Sequence, residues 1–135
     1  MSRPEFAAKF RLEASVSPSE DPAKVAGALR SILGSPLEVK VDGDRAALTT
    51  DDPGAISHIR DQLRDRHIRS AARRQLLLNS EGRTTFMILN RQAAAAGVVA
   101  VCGSPEESPL GPICASIESD HLAAVVDWLT GYEAG

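Results

Sequence analysis

The fold is decided by the opening stretch FAAKFRLEASV, residues 6–16, in which apolar and polar side chains alternate. A period of two is typical of a β-strand that buries one face and exposes the other. The apolar set is Phe6, Ala8, Phe10, Leu12, Ala14 and Val16. The stretch therefore predicts a first strand with one buried face.

Helix and hairpin signals follow this strand directly. The segment SPSEDP, residues 17–22, combines helix-capping residues with prolines, and it predicts a first helix over about residues 20–33. The turn sequence DGD, residues 42–44, separates two alternating segments, residues 37–41 and 45–50. These segments are predicted to pair as a hairpin.

The second half of the chain is read from the same kinds of signal. The sequence DDP, residues 51–53, predicts a second helix that ends near residue 66, and a third helix follows over about residues 68–78. The remaining predicted elements are a strand over residues 83–89, a short helical turn over residues 91–96 capped by Asn90, strands over residues 98–102 and 113–118, and a helix over residues 121–130.

The predicted order is βαββααβββα, in a single α+β domain that spans residues 1–135. Strands and helices interleave irregularly, which favours a mixed β-sheet with helices mainly on one face over a doubly wound sheet. Residues 83–89 are apolar on both faces, as in a central strand. The three phenylalanines, Phe6, Phe10 and Phe86, are predicted to face the core.

Composition excludes several classes of protein. Apolar residues make up 43% and charged residues 24% of the chain, which indicates an ordinary globular domain and neither a disordered chain nor a coiled coil. No apolar run has the length of a membrane span, and the N-terminus lacks the pattern of a secretion signal. These features predict a cytoplasmic protein. Cys102 and Cys114 are predicted to be buried or half-buried free thiols, with a cross-strand disulfide as the alternative.

No pattern nominates a catalytic site. His58, His67 and His121 fall on different predicted faces without a metal-ligand spacing, and neither a nucleophile motif nor a glycine-rich phosphate loop occurs. We therefore expect no enzymatic activity, no metal site and no small-molecule cofactor. A ligand-binding function would require a deep pocket with converging polar groups.

Positive charge is concentrated in the middle of the chain. Residues 58–91 hold eight arginines and three acids, a local charge of +5, whereas the whole chain carries −3. On the predicted helices these arginines recur at helical spacing and form basic ridges. Guanidinium groups bind phosphate oxygens bidentately, and a short helix start supplies backbone N–H groups to phosphate. The predicted RNA-binding residues are Arg66, Arg69, Arg73, Arg74, Arg83, Asn90 and Arg91.

The aromatic residues are too few to form a stacking platform for single-stranded bases, so structured RNA held by its phosphates is the predicted partner. Two alternatives stand beside this prediction. In the first alternative, the arginines form a solvated helix face that Asp61 and Asp65 partly neutralise. In the second, the arginines pair with acidic patches of a partner protein or of a second copy in a homodimeric scaffold.

Several strings resemble a known archaeal family. They are VSPSED (residues 16–21), TTFMILNRQAA (84–94), ESPLGPI (107–113), IESD (117–120) and DWL (127–129). Together they are similar to the UPF0201 family of uncharacterised archaeal proteins, which is classed as RNA-binding. The resemblance implies a fold like that of the large-subunit ribosomal protein that holds 5S ribosomal RNA. Arg91 stands where lysine is common in the family, which keeps the charge.

Overall fold

The alternating stretch forms the middle strand of a five-stranded sheet. The computed structural model describes residues 7–33, 37–108 and 110–131. The strands are β1 (Lys9–Ser15), β2 (Lys40–Asp42), β3 (Arg45–Thr50), β4 (Thr84–Leu89) and β5 (Ile113–Glu118), in the spatial order β2-β3-β1-β5-β4. All neighbouring strands are antiparallel. The predicted mixed sheet is therefore wrong, because each pair of neighbouring strands in the described parts of the chain is antiparallel.

The predicted helices are confirmed, and local chemistry explains their ends. They are α1 (Pro22–Leu33), α2 (Pro53–Asp65), α3 (Arg69–Leu78), α4 (Arg91–Ala95) and α5 (Leu122–Thr130), with a 3₁₀ turn at Pro105–Glu107. Asp52 Oδ1 accepts from the Gly54 amide at 2.9 Å, so an aspartate caps α2 ahead of a proline, as the sequence predicts. Gly131 ends α5 with φ +73°, in the left-handed region that glycine enters easily.

One face of the sheet carries the core. The buried residues of β1 are Phe10, Leu12 and Ala14, and Leu12 is paired with Leu48 on one side and Ala115 on the other. The intervening side chains of β1 are exposed or half-buried. The predicted α+β class is confirmed, and this alternation leaves the face of the sheet opposite the core open.

Strand β4 lies at an edge of the sheet and not at its centre. Its two-sided apolar pattern arises because Phe86, which is 40% exposed, lies on the open face, so the prediction that Phe86 faces the core is wrong. Side chains of α3 and of its C-cap cover the free edge: Asn79 Nδ2 donates to the Phe86 carbonyl at 3.0 Å, and Gln75 Oε1 accepts from the Ile88 amide at 3.0 Å. Phe6 lies outside the described residues.

The structure also tests the predictions for residues 98–102 and for the two cysteines. The predicted strand over residues 98–102 makes a single bridge, between Val101 and Leu89, so it is an extended segment and not a strand. Cys102 is buried and Cys114 half-buried, both as free thiols, which confirms the prediction. Within the described parts of the chain, no helix has both the length and the apolar character that a membrane crossing requires.

Candidate functional site

Several arginines of the predicted basic ridges contact helix α5. Arg60 Nε donates to the Trp128 carbonyl at 2.7 Å, and its guanidinium lies 5.5 Å from the centroid of the Trp128 ring. Arg73 Nη1 donates to Asp127 Oδ1 at 2.6 Å and to Thr130 Oγ1 at 3.4 Å. The arginines of α2 and α3 therefore neutralise the C-terminal end of α5, where a helix carries partial negative charge.

Two more of these arginines contact the ends of the same helix. Arg83 Nε lies 2.6 Å from Asp120 Oδ1, in an exposed ion pair just ahead of α5. Arg69 packs against Gly131, because a Cβ atom at this glycine would collide with Arg69 Nη1. Residues 118–131 contain three acids and no lysine or arginine. The local charge of +5 is thus partly matched in space by an acidic segment that lies far away in sequence.

Three arginines of the predicted site present their charge to solvent. Arg66, Arg69 and Arg74 are exposed, and none of their guanidinium groups makes a hydrogen bond or ion pair with a residue that the structure describes. Arg66 follows the last residue of α2, Arg69 begins α3, and Arg74 lies on the outer side of α3. We call these three residues the basic surface. Neighbouring Arg64 lies 3.6 Å from Asp61 and 3.1 Å from Asp65.

Arg91 lies inside the protein, away from the basic surface. Its side chain is only 7% exposed, and Nη1 donates to both carboxylate oxygens of Glu20 at 2.8 Å. Nη2 donates to Ser15 Oγ at 3.2 Å, and the Arg91 amide donates to Ser108 Oγ at 3.0 Å. The phosphates of a bulky RNA cannot reach a side chain that is buried and paired in this way, so we leave Arg91 out of the RNA-binding proposal.

The side chain of Asn90 also makes a hydrogen bond within the protein. Its Oδ1 accepts from the Ala93 amide at 2.9 Å, which caps α4 as predicted and leaves the helix start closed by the protein's own side chain. The structure thus divides the predicted residues into three groups. Arg66, Arg69 and Arg74 expose guanidinium groups without a described hydrogen-bond or ion-pair partner, although Arg69 also packs against Gly131. Arg73 and Arg83 pair with acids in or just ahead of α5, and Asn90 and Arg91 make hydrogen bonds within the fold. The first group is the one most available to a polyanion.

Two segments that are distant in sequence converge on Arg91. Glu20 belongs to the turn after β1, where its Oε1 also accepts from the Ser17 amide at 2.8 Å. Ser108 belongs to the loop ahead of β5, where its hydroxyl donates to the Gly111 carbonyl at 3.0 Å. These are the same segments that carry the family resemblance. We call Glu20, Arg91, Ser15 and Ser108 the Arg91 cluster, and sequence reasoning missed every member except Arg91.

The surroundings of Glu20 keep it ionised. Burial acts to raise the pKa of this carboxyl, but the hydrogen bonds from Ser17 and Arg91 and the charge of Arg91 outweigh burial. The pKa of Glu20 therefore lies below its ordinary value of 4.5. The Arg91 cluster is accordingly a buried ion pair and not an acid poised to give up a proton near neutral pH.

A cavity of about 380 Å³ adjoins the Arg91 cluster between α1, α4 and the loop ahead of β5. Its polar lining includes Glu20, Asp21, Lys24 and Arg91, and its apolar wall includes Ala28 and Leu110. The described residues contain no group of three or more His, Cys, Asp and Glu side chains that could hold a metal ion. The chemistry available at this cavity is therefore hydrogen bonding and charge pairing.

Comparison with known proteins gives relatives over most of the chain. No known family model matches it. A UPF0201 protein of Sulfurisphaera tokodaii is 36% identical over 125 residues, which cover 90% of this chain and 86% of the relative. A UPF0201 protein of Methanothermobacter thermautotrophicus is 36% identical over 121 residues, which cover 90% and 89%.

Solved structures share the fold. The crystal structure of an uncharacterized UPF0201 protein matches with a TM-score of 0.76 at 20% identity, over 93% of this chain and 94% of the other. The crystal structure of a UPF0201 protein from Methanococcus jannaschii matches with a TM-score of 0.71 at 22% identity, over 94% and 95%. At these identities the likeness shows the fold alone.

Proposed function

The chain belongs to the UPF0201 family, and we propose that it binds structured RNA by contacting phosphates with the basic surface of Arg66, Arg69 and Arg74. The observation that carries the proposal is the exposure of three guanidinium groups that have no partner among the described residues. Arginine keeps its charge at all physiological pH values and matches phosphate oxygens with paired donors. The likeness to the ribosomal protein that holds 5S ribosomal RNA, implied by the sequence, is part of this proposal.

The aromatic side chains favour phosphate contacts over base stacking. Phe10 and Trp128 are buried, and Phe86 lies on the open face of the sheet and not on α3. The described phenylalanines and Trp128 thus provide no stacking platform beside the arginines for the bases of a single strand. Affinity should therefore follow the spacing of phosphates in a folded RNA and depend strongly on salt.

Fluorescence anisotropy tests this proposal with a labelled RNA hairpin and a single strand of equal length. The wild type is expected to favour the hairpin, and Arg66→Ala/Arg69→Ala/Arg74→Ala is expected to weaken binding at least about tenfold at low salt. The slope of log affinity against log salt should fall by about 2–3, since each lost phosphate contact removes somewhat less than one counterion. These outcomes follow if the basic surface contacts phosphates directly.

A matched variant controls for net charge. Lys9→Ala/Lys24→Ala/Lys40→Ala removes the same charge from three exposed positions outside the basic surface. This variant should retain hairpin binding within about threefold, because distant surface charges are screened at moderate salt. Equal losses in the two triple variants, or no hairpin binding at low salt, would contradict the proposal.

A second candidate function is protein interaction through the outer side of α3. Arg74, Leu77 and Leu78 are spaced so that they share one helix face, and the two leucines are 52% and 79% exposed. Adjacent exposed leucines beside an arginine are typical of protein interfaces, with a homodimer as the simplest form.

Light scattering over a concentration series tests the second candidate. A homodimer predicts a doubled mass that Leu77→Ser/Leu78→Ser returns to the monomer value. The substitutions lie on an exposed face, so the melting temperature should change little. A monomer at all concentrations, with hairpin binding unchanged in the leucine variant, would exclude the homodimer and leave the RNA proposal standing.

A further inference from the structure

We propose that the cavity beside the Arg91 cluster binds a small carboxylate ligand that carries a short apolar group. This site is separate from the basic surface and does not depend on RNA binding. Its volume of about 380 Å³ lies in the range of small-molecule sites, and its lining combines a few polar groups with apolar walls. The inference rests on three observations about this lining.

The first observation is a buried donor without an acceptor. Arg91 lines the cavity, its Nε is buried, and no described residue accepts a hydrogen bond from this atom. The Arg91–Glu20 contacts use Nη1 alone, whereas Nη2 makes only the 3.2 Å contact with Ser15. Nε and Nη2 carry parallel N–H bonds along one edge of the guanidinium. This edge has the geometry that a carboxylate accepts with both oxygens.

The second observation concerns the charges around the cavity. Glu20 is matched by Arg91, and Asp21 Oδ1 accepts from the Ala23 amide at the start of α1, at 3.0 Å. Lys24 lines the same cavity from an exposed position, and its ammonium group makes no ion pair or hydrogen bond with a described residue. An anionic ligand would thus meet the cation of Lys24 at the rim, and the carboxylate of Asp21 disfavours ligands with more than one negative charge. A monoanion suits this balance better than a phosphate dianion.

The third observation is the apolar wall, which ends in a strained residue. Val25 and Ala28 are buried on α1, and Ala95 faces them from α4. Leu110 adopts φ +67°, a left-handed conformation that is rare for a bulky residue, and this cavity-lining residue is 57% exposed. Such backbone strain is concentrated at ligand sites, where the fold holds a side chain in position. An apolar group of the ligand would cover Leu110 and remove its exposed surface from water.

Titration of the ¹⁵N-labelled full chain with a matched set of probes tests the proposal by NMR. The probes are 4-methylpentanoate, 4-methylpentanamide and 3-methylbutylamine, which share an apolar body and differ in the polar group. We expect saturable shifts for the carboxylate at amides of residues 19–28 and 91–95, with a dissociation constant on the order of 1 mM for a ligand of about eight heavy atoms. The amide and the amine should bind at least about fivefold more weakly.

Two variants at exposed positions avoid disturbing the buried ion pair. Lys24→Gln should weaken the carboxylate about fivefold, the scale of one partly exposed charge contact, whereas Lys40→Gln should leave it unchanged. Ala95→Leu fills the cavity from its exposed side and should abolish binding of all three probes. Equal affinity for the carboxylate and the amide, or shifts outside this cavity, would overturn the proposal.

Discussion

Glu20→Gln is expected to lower the free energy of unfolding by about 3–5 kcal/mol, because it leaves the cation of Arg91 buried without a counter-charge. Arg91 is 7% and Glu20 12% exposed at the side chain, so water compensates little. The glutamine can accept one hydrogen bond from the guanidinium, which places the loss toward the lower part of the range. Urea unfolding followed by circular dichroism at neutral pH measures the change.

A double-mutant cycle separates the ion pair from the packing of its two side chains. Glu20→Met/Arg91→Met removes both charges and keeps apolar volume, so it should recover most of the stability that either single substitution loses. A coupling near zero, or a change below about 0.5 kcal/mol for Glu20→Gln, would show that the contact is not closed in solution.

The pH dependence of the Glu20→Gln effect follows from the sign of the pKa shift of Glu20. The folded-state pKa of Glu20 lies below its unfolded value, so the ionised pair contributes its full stability above the unfolded pKa of about 4.5. This contribution is lost as pH falls through the folded pKa. The difference in unfolding free energy between the wild type and Glu20→Gln should therefore be constant near neutral pH and shrink below about pH 4.5.

Local patterns predicted the elements of the fold well because their causes are local. The alternation in β1 reflects one buried face, and the capping residues at Asp52 and Asn90 satisfy backbone amides one turn away. The order of strands has no such local cause. The apolar residues on both faces of β4 indicated a central strand, whereas the side chains of Gln75 and Asn79 complete an edge strand instead.

The candidate sites were harder to predict because their contacts also join residues that are far apart in sequence. Helical spacing showed that the arginines share helix faces, but not that α5 would pack beside them, since Arg60 and its acceptor Trp128 are 68 positions apart. Arg91 lies two positions before a run of four alanines, a pattern that does not by itself indicate burial, because arginine is rarely buried without a partner. Its partner Glu20 lies 71 positions away, and no spacing rule connects the two.

Arg60→Ala/Arg73→Ala is expected to lower the free energy of unfolding by about 2–4 kcal/mol. Arg60 loses a charge-assisted hydrogen bond to the Trp128 carbonyl and its contact with the indole ring. Arg73 loses its bond to Asp127, whose side chain is 38% exposed, so this part is discounted for solvent screening. Both losses fall on the C-terminal half of α5, whose Trp128 and Leu129 are buried in the core.

The matched control is Arg66→Ala/Arg74→Ala, which removes the same charge from the basic surface. It should change the free energy of unfolding by less than about 1 kcal/mol, because neither side chain has a described partner to lose. Under the RNA proposal, the order of the two variants should reverse for RNA affinity. Arg66→Ala/Arg74→Ala should lose affinity for the hairpin, whereas Arg60→Ala/Arg73→Ala should retain affinity at temperatures below the melting temperature of that variant. Equal effects of the two variants on stability would mean that the arginines act through net charge alone. Arg60 and Arg73 contact the end of α5, whereas the guanidinium groups of Arg66 and Arg74 are exposed, so the comparison tests directly which arginines hold the fold and which are available to a partner.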